Sequence, residues 1–205
     1  MDRARNPKKL SFILFTSSYN KPMKKIVVLF SGTGSNLKYI LENMHQKELE
    51  VVLAITNNPG AKGIEIAKSY GIDVEIIPSK EFSKREEFDK VLVERISKVN
   101  PDLTVLAGFM RILTPTFTSK IRAINLHPSL LPRHKGLKAI ERSFEDNFED
   151  GGVSIHWVSE ELDGGEIILQ KSIKKSGLSF EEYHKNIRKI EKEALVEAIR
   201  FVLKI

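Results

Sequence analysis

The 205-residue sequence has no cysteine, which removes disulfides, thiolate nucleophiles and cysteine-bound zinc or iron–sulfur centres from the candidate chemistries. No apolar run approaches the roughly 18 residues that a membrane span needs, so no transmembrane segment is expected. Internal repeats and low-complexity tracts are also missing, which sets aside solenoid and fibrous architectures. Charge imbalance is missing from most of the chain. The formal net charge is +6, but residues 1–25 carry Arg3, Arg5, Lys8, Lys9, Lys21, Lys24 and Lys25 against Asp2 alone, so the other 180 residues are neutral overall. A basic footprint confined to one end argues against a nucleic-acid surface on the fold. His45, His134, His156 and His184 show no metal-ligand spacing, so no metal is expected.

What remains is a composition of 41% hydrophobic and 29% charged residues, that of a soluble globular protein, and a cytoplasmic location is expected. The length suits a single domain. Residues 1–22 show no periodicity that joins them to the rest of the chain, and the apolar patch Leu10 to Phe15 is too short for a signal-peptide core. They are expected to be a disordered or non-essential extension of a domain spanning 23–205, and a chain starting at Met23 is expected to fold and be active.

From Lys25 the pattern alternates. Lys25 to Phe30 is an apolar, β-branched run typical of a strand buried on both faces. Strands are also expected at Val51 to Thr56, Val74 to Ile77, Leu103 to Leu106 and near Ile121 to His127. Helices between them present Leu37, Ile40, Leu41 and Met44, and then Phe88, Val91, Leu92 and Ile96, at helical spacing. Ser83 with Glu86, and Ser179 with Glu182, read as capping boxes; Thr114-Pro115 reads as an N-cap and first-turn pair. A polar helix is expected from Gly136 to about Phe148, then strands at Val153 to Val158, after Gly151-Gly152, and at Glu166 to Ile173. These imply an α/β fold: a doubly wound, mostly parallel, Rossmann-like sheet with a late antiparallel addition.

Three segments carry candidate chemistry. Gly32-Thr33-Gly34-Ser35-Asn36 comes after a strand and opens a helix, so its free N–H groups and the helix dipole suit a single phosphate. It lacks the Gly-Lys-Ser/Thr of a Walker loop. In Asn125-Leu126-His127-Pro128, alternation puts an amide and an imidazole on one side of a strand end, where open α/β sheets keep their ligands; Pro128 and Pro132 stiffen the exit. Asp163, in Leu162-Asp163-Gly164-Gly165, is a candidate carboxylate partner, its glycines letting backbone approach a ligand, and it is expected to raise the pKa of His127. Arg85 and Arg111 lie near strand ends and could face a carboxylate.

The order and spacing of Ser31-Gly32-Thr33-Gly34-Ser35-Asn36, Ala107-Gly108-Phe109-Met110-Arg111-Ile112-Leu113, Asn125 to Pro132, and Leu162 to Gly165 resemble the folate-dependent formyltransferase family. The glycine-rich turn narrows the likeness to its phosphoribosylglycinamide formyltransferases. The resemblance covers residues 25 to about 200. It implies transfer of a formyl group from 10-formyltetrahydrofolate to the primary amine of glycinamide ribonucleotide in purine biosynthesis, with small-molecule substrates and a monomer or homodimer. It further implies Asn125 and protonated His127 as donors to a tetrahedral oxyanion, with Asp163 supporting the imidazolium. Gly34, Ser35 and Asn36 would bind the ribonucleotide phosphate, Glu191 its amine or ribose side, and Arg85 with Met110, Arg111, Ile112 and Leu113 the folate. Two stretches depart from the family pattern: Arg133-His134-Lys135-Gly136 is more basic, and Glu191-Lys192 stands where relatives often carry Glu-His. Delivery of the formyl group to water, transfer to another amine, and a catalytically silent nucleotide-binding module are the competing readings.

Overall fold

Residues 22–205 are described by a computed structural model; the expectations for residues 1–21 lie outside the described residues. The core strand is β1 (Lys24–Phe30), whose Ile26 to Phe30 are completely buried. Each such side chain contributes about 1.5–3 kcal/mol by leaving water. Around it β2 (Leu49–Thr56), β3 (Val74–Ile76), β4 (Leu103–Leu106) and β5 (Ala123–His127) run parallel. Then β6 (Asp150–Trp157) and β7 (Ile167–Lys174) are added antiparallel, giving one seven-stranded sheet in the order β3-β2-β1-β4-β5-β6-β7. Strand order reverses between β1 and β4, which makes the crevice at their carboxyl ends the expected ligand position.

One face is covered by α1 (Ser35–Asn43), α2 (Gly63–Ser69) and α6 (Phe180–Leu203), with Leu37, Ile40, Ala67, Tyr183, Ile187 and Ile199 in its core. The short α5 (Ala139–Glu145) packs on α6. The other face is covered by α3 (Arg85–Val99) and α4 (Pro115–Thr118), centred on Phe88, Leu92, Ile96 and Phe117. The doubly wound expectation therefore holds.

Local signals fared unevenly. The Ser179–Glu182 capping box forms with both reciprocal bonds, and Thr114 and Pro115 take the N-cap and first-turn positions of α4. The Ser83–Glu86 box does not form: α3 is preceded by Lys84, one residue out of register, and Ser83 Oγ meets the Glu87 carboxylate instead. The helix expected from Gly136 to Phe148 shrinks to α5. Gly151 and Gly152 lie inside β6 and not before it. A Cβ on Gly151 would fall 1.9 Å from the Tyr183 hydroxyl, and one on Gly152 2.1 Å from the Lys171 carbonyl oxygen. Both glycines answer to close packing within the sheet and against α6.

Candidate active site

The crevice is held together by one hydroxyl. Ser31, just after β1, donates from Oγ to Asn57 Oδ1 and accepts the Met110 N–H at 2.8 Å, while its own N–H donates to the Gly108 carbonyl. The turn after β1 and the segment after β4 are thus tied across the switch point. Gly34 forms the N-cap of α1 at φ 74°, and no side chain caps that helix or places an acid in its first turn. The backbone N–H groups there carry the positive end of the helix dipole. Gly34 is fixed by a second demand, since its Cβ would lie 2.5 Å from Gly63 Cα at the start of α2. Ser35 is exposed, whereas Asn36 is buried, and its Oδ1 has no hydrogen-bond partner among the described residues.

On β5, alternation sends Ile124 and Leu126 into the larger core, leaving Asn125 and His127 on the opposite side of the strand. Asp163, at φ 49° in the loop between β6 and β7, stands between them. Its Oδ2 lies 3.2 Å from His127 Nδ1 and accepts the Gly136 N–H at 2.8 Å. Its Oδ1 accepts from Asn125 Nδ2 at 3.4 Å. The glycines beside it serve packing: a Cβ on Gly165 would fall 1.8 Å from the Trp157 carbonyl oxygen. Gly165 makes room for the sheet, and a Cβ on Gly164 would meet the Glu161 side chain at 2.3 Å.

Asp163 raises the His127 pKa as expected but does not decide the net shift. His127 is only 5% exposed, and burial pulls its pKa below the ordinary histidine value, outweighing Asp163 and the His134 carbonyl, which raise it. Both ring nitrogens face acceptors, Asp163 Oδ2 and the His134 oxygen at 2.9 Å. A neutral ring can satisfy only one of them and an imidazolium satisfies both. His127 is therefore a base with two acceptors built for its protonated form. Burial would raise the Asp163 carboxyl, but His156, His127 and the Gly136 N–H outweigh it and hold it below its usual range.

Beside these lies a residue that sequence reasoning missed. His156, on β6, is directly opposite Asn125 in the β5–β6 register. Its Nδ1 donates to the Trp157 carbonyl at 2.9 Å, and its Nε2 lies 3.2 Å from Asn125 Nδ2 and 3.6 Å from Asp163 Oδ1. The signal was present: in Val153-Ser154-Ile155-His156, polar residues recur at every second position of a buried strand. Ser154, fully buried, was missed likewise. It donates to the Ser129 carbonyl and accepts from the Leu131 N–H and Gln170 Nε2, pinning the loop after His127.

A cleft opens beside this cluster. Asn125, His156 and Asp163 supply polar lining, Leu106, Ile112, Leu113, Val158 and Leu162 supply apolar lining, and Arg111 also borders it. The Arg111 guanidinium sits 5.5 Å from the centre of the Phe88 ring, a cation–π contact. Of the other expected folate contacts, Met110 is 69% exposed and Arg85 is exposed on the first turn of α3; neither lines the cleft. Glu191 lies on α6, only 2% exposed, with both carboxylate oxygens held by Arg188, and burial raises its pKa. The described residues contain no cluster of three or more histidines or acids able to hold a metal, and no helix among them is long and apolar enough to cross a membrane.

An uncapped helix-opening turn and an Asn–His–Asp cluster, set at the carboxyl ends of a doubly wound sheet that closes with antiparallel strands, have the arrangement of the α/β enzyme class. The comparisons narrow that class. The formyl transferase family model matches residues 24–199, and the chain belongs to that family. It is 41% identical over 152 residues, 72% of each chain, to phosphoribosylglycinamide formyltransferase of Escherichia coli strain K12. Among solved structures it resembles the phosphoribosylglycinamide formyltransferase of Campylobacter jejuni at TM-score 0.87 and 51% identity, covering 89% of this chain and all of that one. It also resembles glycinamide ribonucleotide transformylase 1 of Symbiobacterium toebii at TM-score 0.83 and 33% identity, covering 89% of each.

Proposed function

We propose that the protein transfers a formyl group from 10-formyltetrahydrofolate to the primary amine of glycinamide ribonucleotide, a step of purine biosynthesis. The observation that carries this reading is the convergence of Asn125, His127 and Asp163 beside a cleft that shares its sheet edge with the uncapped turn at Gly34. That turn suits the ribonucleotide phosphate, through the N–H groups around Ser35 and Asn36. The apolar lining from Ile112, Leu113 and Leu162, with a few convergent polar groups, suits a flat heterocyclic donor.

The amine attacks the formyl carbon, and its carbonyl oxygen takes on negative charge as a tetrahedral centre forms. Asn125 supplies a donor by redirecting the N–H that now lies 3.4 Å from Asp163, the longer of its two contacts. His127, once protonated, brings a positive charge balanced by Asp163, and it becomes the second donor by turning a ring N–H from its present acceptor, Asp163 Oδ2 or the His134 oxygen, toward the oxyanion. The attacking nitrogen loses a proton and the folate nitrogen gains one as its bond to carbon breaks. The His127–Asp163 pair can accept the first and return the second. Glu191, a buried acid on α6, is assigned to the amine or ribose side, and Arg85 and Met110, with Arg111, to the outer part of the folate.

The test monitors folate release by absorbance with and without glycinamide ribonucleotide. Turnover is expected only with the amine, and His127→Ala is expected to lose roughly 10²–10⁴-fold in kcat. Formate release without the amine would assign the hydrolytic reaction instead. Full turnover by His127→Ala would overturn the mechanism.

A further inference from the structure

We propose that His134 is a positioning residue for His127, held by a brace that runs from Lys175 through Asp146 to the His134 ring. The proposal rests on the catalytic role given to His127 above. It starts from one contact: the His134 carbonyl oxygen lies 2.9 Å from His127 Nε2.

His134 is a non-glycine residue at φ 55°, a conformation uncommon outside glycine that histidine, like asparagine and aspartate, takes more readily than most, and one that surrounding contacts hold in place. Its ring supplies that support, with Nε2 2.5 Å from Asp146 Oδ2. The other oxygen, Asp146 Oδ1, receives the Lys175 ammonium. Lys175 is 9% exposed, and its three protons have the Ser143 carbonyl at 2.7 Å, the Asp146 carbonyl at 2.9 Å and Asp146 Oδ1 as acceptors. A buried ammonium is tolerated only when paired this completely, so Asp146 is firmly anchored. Two residues after His134, the Gly136 N–H donates to Asp163 Oδ2 at 2.8 Å. The segment 134–136 therefore offers an acceptor to one nitrogen of His127 and a donor to the carboxylate facing the other.

The brace thus keeps a proton on His127 Nε2 and aligns Asp163 with Nδ1. The charged and titratable groups bearing on His127 are Asp163, His156 and Arg142, and the His134 backbone carbonyl bears on it through its hydrogen bond. Of these, Asp163 and the His134 carbonyl favour the imidazolium, while His156, Arg142 and burial oppose it. Loosening the carbonyl leaves the opposing set stronger, and the charged ring is lost at lower pH.

The experiment compares His134→Ala with His134→Gln in the full chain. Glutamine can still donate to Asp146, and alanine cannot. In His134→Ala, kcat at pH 8 is expected to fall about tenfold with the KM of both substrates little changed, and the alkaline limb of the kcat profile to move to lower pH. His134→Gln is expected to recover most of that loss. Nitrogen-15 NMR of the His127 ring, which does not depend on turnover, should show a protonated Nε2 in the parent and in His134→Gln and a tautomer mixture in His134→Ala. An alkaline limb and ring signals unchanged in His134→Ala would overturn the proposal, as would glutamine performing no better than alanine. If His134→Ala does not fold, Asp146→Asn serves as the second variant, and ring signals and limb equal to the parent's would again overturn it. Full activity in His127→Ala would refute the catalytic role instead, and the NMR comparison would still decide the brace.

Discussion

Two glycines in one turn should behave in opposite ways. Gly34 stands at φ 74°, and a Cβ there would lie 2.5 Å from Gly63 Cα and 3.3 Å from Gly63 N. Alanine in the left-handed region costs about 1–2 kcal/mol, and forcing a methyl into a closed contact costs about 1–3 kcal/mol more. Gly63 cannot yield cheaply, because it packs on the Phe30 ring so closely that its own Cβ would fall 2.5 Å from that ring. Gly34→Ala should therefore lose about 2–5 kcal/mol, which for a domain of this size lowers Tm by roughly 4–20 °C. Gly32, two residues earlier, has nothing within 4 Å of its Cβ position and no left-handed φ. Gly32→Ala should be neutral or stabilising by about 0.4–1 kcal/mol. Denaturant melts of the two variants measure this difference directly. Because Gly34 sets the direction of the first N–H groups of α1, steady-state kinetics should show the ribonucleotide KM raised about tenfold or more in Gly34→Ala while the folate KM changes far less. Equal stability of the two alanine variants, or a defect confined to the folate, would refute the reasoning.

Glu191 tests the ribonucleotide side through stability. Burial raises its folded pKa above the ordinary glutamate value of 4.5, so the folded state holds the proton more tightly, and stability falls as pH rises from there through the folded value. Glu191→Gln should remove that penalty and be more stable than the parent at pH 7, with the advantage disappearing by pH 4. The ribonucleotide KM should rise in the same variant, the usual trade at a functional buried acid. Urea melts at both pH values decide the first part; a variant with no stability gain at pH 7 sinks it. Ser154→Ala should cost about 1–3 kcal/mol, because the buried Leu131 N–H loses its acceptor. Amide exchange should quicken at Leu131 and Arg133, and protection equal to the parent's would count against the pinning role.

Much of the fold was legible because buried parallel strands write themselves as unbroken apolar runs, and amphipathic helices as spaced ones. What local pattern could not resolve was set by distant packing. Ser83-x-x-Glu86 and Ser179-x-x-Glu182 are the same signal, yet only the second forms, since α3 begins at Arg85 and leaves Ser83 outside its cap. Gly151 and Gly152 read as preceding a strand, but they lie inside it, where the Tyr183 hydroxyl and the Lys171 carbonyl fill the space of their missing side chains. Asn125, His127 and Asp163 were each recognisable and do come together. The sign of the His127 shift was not, because the burial that dominates it is a property of the assembled core. His156 escaped notice because its partnership with Asn125 is a register across strands, 31 residues apart in sequence.

The antiparallel end of the sheet explains why the cluster sits where it does. β5 is the last of the parallel strands, and a further parallel neighbour would have reached it through a crossover. An antiparallel β6 instead sets Ser154 opposite His127 and His156 opposite Asn125. It leaves the sheet beside the start of β5, where the Val158 N–H donates to the Ala123 carbonyl. β7 begins beside the end of β6, and the loop between them reaches back over β5, carrying Asp163 to Asn125 and His127. The parallel half of the sheet provides the crevice and the uncapped turn at Gly34, and the antiparallel half brings the carboxylate and the second imidazole to β5. Neither half alone assembles the cluster, so the late strands shape the candidate site as much as the core.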